Sequence, residues 1–204
     1  MIMSLDRRRF LSWAGALPLA ACSAAAVAGN SPSRPLSRAA QRGMLPNVPL
    51  VAHTGETFNF YDDLVRDRIV LLNFFVVSCT EGRCLPASFN LRKVQDLIGD
   101  RMGKDVFFYS ITLQPELDSV KRLKEYAEDV VEAGPGWLFL TGEEDDLDHL
   151  RRAQGFVDPD PERDRDVNNH ASMGRIICDR RERWGTANLL TSPRNIRSSF
   201  SVFL

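Results

Sequence analysis

"IVLLNFFVVSCTEGRC", residues 69 to 84, is the stretch on which the fold turns. From Ile69 to Val77 both alternating sets of side chains are apolar, as expected of a strand covered on both faces. The run then breaks into two cysteines, Cys79 and Cys84, with four residues between them. Beyond these, Pro86 suits a helix start, and Leu91, Val94, Leu97 and Ile98 recur on one helical face. The cysteines therefore occupy a strand-to-helix crossing. In open α/β sheets ligands gather at such crossings, and a helix N-terminus favours a thiolate.

The rest of the chain repeats this alternation. Residues 48–60, "VPLVAHTGETFNF", form two extended runs around a Thr-Gly turn, as a hairpin would. Val106–Ile111 reads as a second buried strand. A helix follows, with Asp118 as N-cap, Val120, Leu123, Ala127 and Val130 as its apolar stripe, and Gly134-Pro135 as its stop. Trp137–Leu140 is a further strand. In the next helix, "EEDDLDHLRRAQG", acids crowd the first turn and Arg151 and Arg152 the last, complementing the helix dipole, with Gly155 as C-cap. Residues 158–169 are charged, contain two prolines and read as a loop. A strand at 172–179 then turns through "RRERWG" towards a short final one. The expected fold is α/β, a thioredoxin-like central sheet with flanking helices and an N-terminal β-hairpin, and residues 46–204 form one domain.

The N-terminus decides how the cysteines are read. Arg7, Arg8 and Arg9 precede Phe10-Leu11 and "SWAGALPLAACSAAA", an Ala-rich stretch too short to span a bilayer. Residues 1–28 thus read as an export signal of the twin-arginine type, with Asp6 where a Ser or Thr usually stands. Leu19-Ala20-Ala21-Cys22 is similar to a bacterial lipobox, whose cysteine is lipidated, while Ala26-Val27-Ala28 would suit release by an ordinary signal peptidase. Residues 29–45, rich in Ser, Pro and Arg, read as a linker. The expected location is the periplasm or the outer face of the membrane, with Cys22 as the lipid anchor and no other membrane contact. A formal net charge of -1 offers no electrostatic case for nucleic acid.

Of the four cysteines, setting Cys22 aside leaves Cys79, Cys84 and Cys178. An odd number argues against a framework of structural disulfides. Cys178 lies in a predicted strand and reads as core. In a helix, residues five apart have Cα atoms about 8 to 9 Å apart, beyond the ~7 Å limit for a disulfide. The sulfurs of Cys79 and Cys84 can therefore meet only across a loop, which Gly82 eases by tolerating positive φ. Three outcomes stay open: buried structural thiols or a static disulfide, thiol exchange, or chelation. The two-residue spacing of a redox dithiol is absent. Two soft thiolates suit Cu(I), and a third ligand would complete a trigonal site. Among the histidines, His53 lies at the hairpin and His149 on an exposed helix face. His170 stands just before the strand at 172–179, and if that strand runs antiparallel to the central ones, its start lies near the cysteines. Met173 reads as an ordinary core or surface residue.

Together, the apolar strand leading into the cysteine loop, "SITLQPELDSVKRLKEYAE" (110–128), "WLFLTG" (137–142) and a histidine shortly before "RIICD" (175–179) make the chain resemble the SCO/SenC family. The likeness runs from about Val48 to Asp179. It implies an exported copper-binding chaperone that assists assembly of the copper site of a respiratory cytochrome oxidase. Cys79, Cys84 and His170 would hold the metal, with Cu(I) favoured over Cu(II). The implied partners are the oxidase's copper-site subunit and a copper donor or thiol reductant. On this reading no substrate is turned over. The alternative is a thiol-disulfide oxidoreductase that keeps partner cysteines reduced, with Cys79 and Cys84 as its catalytic pair. The family pattern Cys-Pro-x-x-Cys-Pro has three residues between the thiols. Here there are four, Cys79 lacks its proline, Leu85 displaces Pro86, and Gln114 stands where an Asp is common.

Overall fold

The structure is a computed structural model that describes residues 37–167 and 172–204. The export signal, Cys22 and His170 lie outside the described residues.

A seven-stranded mixed sheet forms the centre. In chain order its strands are β1 (Pro49–Ala52), β2 (Thr57–Asn59), β3 (Ile69–Phe75), β4 (Val106–Thr112), β5 (Trp137–Thr141), β6 (Met173–Cys178) and β7 (Arg183–Asn188). Their spatial order is β2-β1-β5-β4-β3-β6-β7. β3, β4 and β5 are parallel, while the hairpin β1-β2 joins antiparallel to β5, and β6-β7 antiparallel to β3. The thioredoxin-like centre and the N-terminal hairpin are thus as expected. Every residue of β3 is buried, which is why six of its seven are apolar rather than alternating; the exception, Asn73, accepts from the Ser110 hydroxyl at 2.8 Å.

Helices cover both faces. On one, α2 (Cys84–Ile98), α3 (Val120–Glu125) and α6 (Pro193–Ser199) enclose Phe75, Leu91, Val94, Leu123, Ile196 and Phe200. On the other, α4 (Glu144–Ala153) and a π-helical turn over Phe60–Val65 enclose Leu64, Phe74, Leu147 and Leu150. Two short helices, α1 (Arg38–Gln41) and α5 (Pro161–Arg165), complete the set. None of the helices described is long and apolar enough to cross a membrane.

Several local features differ from the sequence reading, each for an identifiable reason. β3 ends at Phe75 rather than Val77, because the next free backbone donor, the Val77 N–H, goes to the Asp118 carboxyl at 3.2 Å. Asp118 is consequently not an N-cap. Ser119 takes that role, its side chain accepting from the Arg122 N–H at 3.3 Å. The helix after it does not keep the expected stripe. A π-helical turn at Tyr126–Val130, closed by Val131 N–H to Tyr126 O at 3.0 Å, inserts one residue into the register. Val131 is then 2% exposed and Val130 44%. In α2, Leu97 is likewise exposed while Leu91, Val94 and Ile98 are buried.

Residues 158–169, read as a loop, contain α5, which begins after Asp160 caps the Glu162 N–H at 2.9 Å. Part of the stretch read as linker also belongs to the packed body. Leu45 is buried, Met44 O accepts from the Gln154 amide at 2.6 Å, and the Ser37 N–H reaches the Tyr61 hydroxyl at 3.1 Å.

Candidate metal centre

The cysteine site is built at the C-terminal end of β3. After Phe75 the chain leaves the sheet, turns at Gly82 with φ +67°, and enters α2 at Cys84. The Gly82 N–H closes on Cys79 O at 3.2 Å, so residues 79–83 are a turn rather than helix. Pro86, third in α2, needs no N–H there, because the first amides of a helix have no intrahelical acceptor. This is the loop that convergence of the sulfurs requires.

Both cysteines are free thiols, Cys84 buried and Cys79 partly exposed. Their side chains are hydrogen-bonded to each other, and the backbone amides of Glu81, Arg83 and Cys84 turn towards Cys79. Desolvation is the largest single influence on Cys79 and pushes its pKa up. The thiol of Cys84 and the three amides together outweigh it, so Cys79 lies below the ordinary thiol range. Cys84 moves the opposite way. Burial, with the neighbouring Cys79, pushes it up to about 12 against a smaller opposing influence from the Val76 backbone. Cys79 is therefore the more acidic of the two thiols, and Cys84 holds its proton more tightly.

This asymmetry predicts selective alkylation. The thiolate is the reactive form, so a thiol held below its ordinary range by its hydrogen-bond donors reacts ahead of one that burial pushes up to about 12. Limiting iodoacetamide should thus label the partly exposed Cys79 well ahead of the buried Cys84, as read by peptide mass mapping. Equal labelling would contradict the hydrogen-bonded asymmetry.

The surroundings of the pair were not visible in the sequence. Asp118, 0% exposed, accepts from the Thr112 hydroxyl at 2.6 Å as well as from Val77 N–H. Its other oxygen has no hydrogen bond and lies 3.7 Å from Arg122 Nη1. Arg122 also donates to Leu117 O at 3.3 Å and to the Ser78 hydroxyl. Tyr126 stacks on Phe75 and donates to Ser88 Oγ at 3.1 Å, and burial pushes its phenol up to about 12. A buried acid at a strand-to-helix crossing carries a signal in the sequence, but the same pattern is that of a helix N-cap.

The other candidates separate cleanly. His53 is buried in the hairpin, where Phe139 N–H donates to its Nδ1 at 3.2 Å and burial lowers its pKa. His149 is exposed on α4, and Cys178 is buried in β6. Met173 opens β6 and is exposed. Among the described residues no third His, Cys, Asp or Glu joins the two thiols in a metal-binding group. The antiparallel pairing of β6 with β3, Leu72 opposite Arg175, sets the start of β6 at the end of the sheet where β3 leads into the cysteine loop.

A sequence model of the SCO1/SenC family matches residues 44–198. The chain belongs to the SCO1/SenC family. Solved structures of SCO-type proteins share its fold. ScoI of Bradyrhizobium japonicum with copper bound is 20% identical with a TM-score of 0.60, covering 78% of this chain and 99% of the other. Copper-bound Sco1 of yeast is 19% identical at a TM-score of 0.60, covering 78% and 87%. BsSco, described as having a disulfide switch and as a member of the Sco family of cytochrome c oxidase assembly proteins, is 19% identical at 0.57, covering 78% and 95%. A search of curated protein sequences finds no match.

Proposed function

We propose that this SCO1/SenC chain is an exported copper chaperone that carries Cu(I) to the copper-site subunit of a respiratory oxidase. The observation that carries the reading is the Cys79–Cys84 pair, two mutually hydrogen-bonded soft donors at the mouth of a loop, one partly exposed. Thiolates select Cu(I), and an accessible donor is what hand-over to another protein needs. His170 is the proposed third ligand. It precedes β6, whose start lies at the sheet end that carries the cysteines, and a neutral imidazole would complete a trigonal set.

The proton inventory supports a pH-dependent hand-over. Cys79 yields its proton readily, whereas Cys84 must surrender a tightly held one to ligate, so loading releases protons and strengthens as pH rises. The longer loop, four residues between the thiols, is compatible with this cargo because soft ligation accepts varied angles. The copper-bound SCO-type structures support the class of cargo. Export through residues 1–28 and lipid anchoring at Cys22 belong to the same proposal, since they would set the domain beside a membrane-bound oxidase.

The second reading is thiol exchange with a partner, favoured specifically by the low pKa of Cys79 beside the high one of Cys84. Exchange needs a thiolate to attack and a second thiol to resolve the mixed disulfide.

Anaerobic titration of the reduced protein with Cu(I) against a competing chelator separates the two. One tightly bound equivalent is expected, weakened at least about tenfold in His170→Ala if the imidazole is a ligand. No binding above the competitor would remove the chaperone reading and leave exchange. A His170→Ala affinity equal to that of the unmodified protein would remove His170 alone.

A further inference from the structure

Asp118 is a carboxyl with no access to water in a protein whose other acids are mostly at the surface. Burying such a group is unfavourable unless its partners repay it, and one of its oxygens has no hydrogen bond at all. What it holds is therefore informative. Through one oxygen it takes the Val77 N–H, the donor that would otherwise extend β3, and the Thr112 hydroxyl at the end of β4. Through the other it faces Arg122, whose guanidinium also grips the Ser78 hydroxyl. The last regular contact of the two strands is Leu113 N–H to Phe75 O at 2.9 Å, and from there the chain is steered by Asp118 and Arg122. The two residues they grip, Val77 and Ser78, immediately precede Cys79.

We propose that Asp118 is the positioning residue of the dithiol: with Arg122 it anchors residues 77 and 78 and so sets how closely Cys79 is held to Cys84. This deepens the role proposed above for the same pair, and it predicts which property of the site responds. Anchoring one end of a short loop raises the effective concentration of one sulfur at the other, which favours both ring closures available to the pair: a chelate around a soft cation, or a disulfide. The loop is a residue longer than the family pattern, so an anchor at its first end restricts freedom that the extra residue adds.

The test measures disulfide closure, which needs no metal. In a glutathione buffer, the Cys79 and Cys84 thiols together give up two electrons and two protons to one glutathione disulfide, forming the protein disulfide and two glutathione thiols. Asp118→Ala is expected to shift this equilibrium at least tenfold towards the dithiol, about 30 mV for a two-electron couple. Asp118→Asn keeps an acceptor for Val77 and Thr112 but drops the ion pair, and Arg122→Gln removes the same pair from the partly exposed side. Each should shift the equilibrium severalfold, and the double variant by less than the product of the two, because both break the Asp118–Arg122 pair while Arg122→Gln also releases Ser78.

Circular dichroism and urea midpoints identify any variant that fails to fold, and if Asp118→Ala does, the milder two decide. Equilibrium constants within twofold of the unmodified protein in Asp118→Asn and Arg122→Gln would overturn the proposal, as would additive shifts in the double variant. Cu(I) affinities on the same proteins keep the two ideas apart. A shifted disulfide equilibrium without any Cu(I) binding would retain the positioning role and reject the copper reading.

Discussion

Serine at either position 79 or 84 is expected to abolish the tight Cu(I) equivalent. Replacing a thiolate by a hydroxyl removes a soft, anionic donor and leaves a hard, neutral one, so the loss should exceed the roughly 10- to 100-fold that changes outside a metal's ligand shell produce. A weakening of at least about a thousandfold, read against the competing chelator, is the expected size. The two variants should differ in one respect. Cys84→Ser keeps the partly exposed, acidic Cys79 and would retain a reactive thiol able to form mixed disulfides. Cys79→Ser leaves only a buried thiol and would lose both functions. Cys178→Ala is the control: its sulfur is in β6, within the core, and tight binding should persist. Undiminished Cu(I) affinity in both serine variants would sink the chaperone reading.

The second large effect concerns the frame that holds the site. Gly136, at φ +79°, lies against Gly103, and a Cβ on it would fall 2.3 Å from Gly103 N and 2.6 Å from its Cα. Both are backbone atoms, which no rotamer change can move aside. This crossing brings the turn after α2 against the start of β5, where Gly136 O accepts from Phe108 N–H at 2.8 Å and the Gln95 amide spans Gly134 and Pro135. Gly136→Ala should therefore cost on the order of 3 to 5 kcal/mol, combining positive-φ strain with the clash. That is a large share of a typical total of about 5 to 15 kcal/mol. Gly55→Ala separates the two causes. Gly55 has φ +91° in the hairpin turn with nothing within 4 Å of the added carbon, so only the strain applies, about 1 kcal/mol. Equal urea midpoints for the two variants would show that the close approach contributes nothing.

Most of the architecture was legible because burial on both faces of a parallel strand writes itself as a mainly apolar run rather than an alternating one. β3, β4 and β5 all show it. The acid-first, arginine-last order of α4 was equally plain. Where the reading failed, a local signal had two meanings. Asp118 before Ser119 looks like a cap because both residues are good caps, and only the position of Val77 decides which of them is free to act as one. The slip from Val130 to Val131 was invisible, because the spacing of the valines does not record where a π-helical turn inserts a residue. α6 carried a readable start, Ser192 as N-cap with Pro193 after it, yet only seven residues of helix follow, too few for a periodic pattern to emerge.

By itself, then, the sequence determined the strand-helix alternation and the placing of two cysteines at a strand-to-helix crossing, with a loop between them as the condition for their sulfurs to meet, because each follows from hydrophobic period, chain geometry and residue type along a continuous segment. Only the tertiary structure decided that the two thiols differ in acidity and that Asp118, buried between β4 and α3, holds the backbone leading into Cys79. Both depend on desolvation and on hydrogen bonds between segments distant along the chain, which no local pattern of residues records.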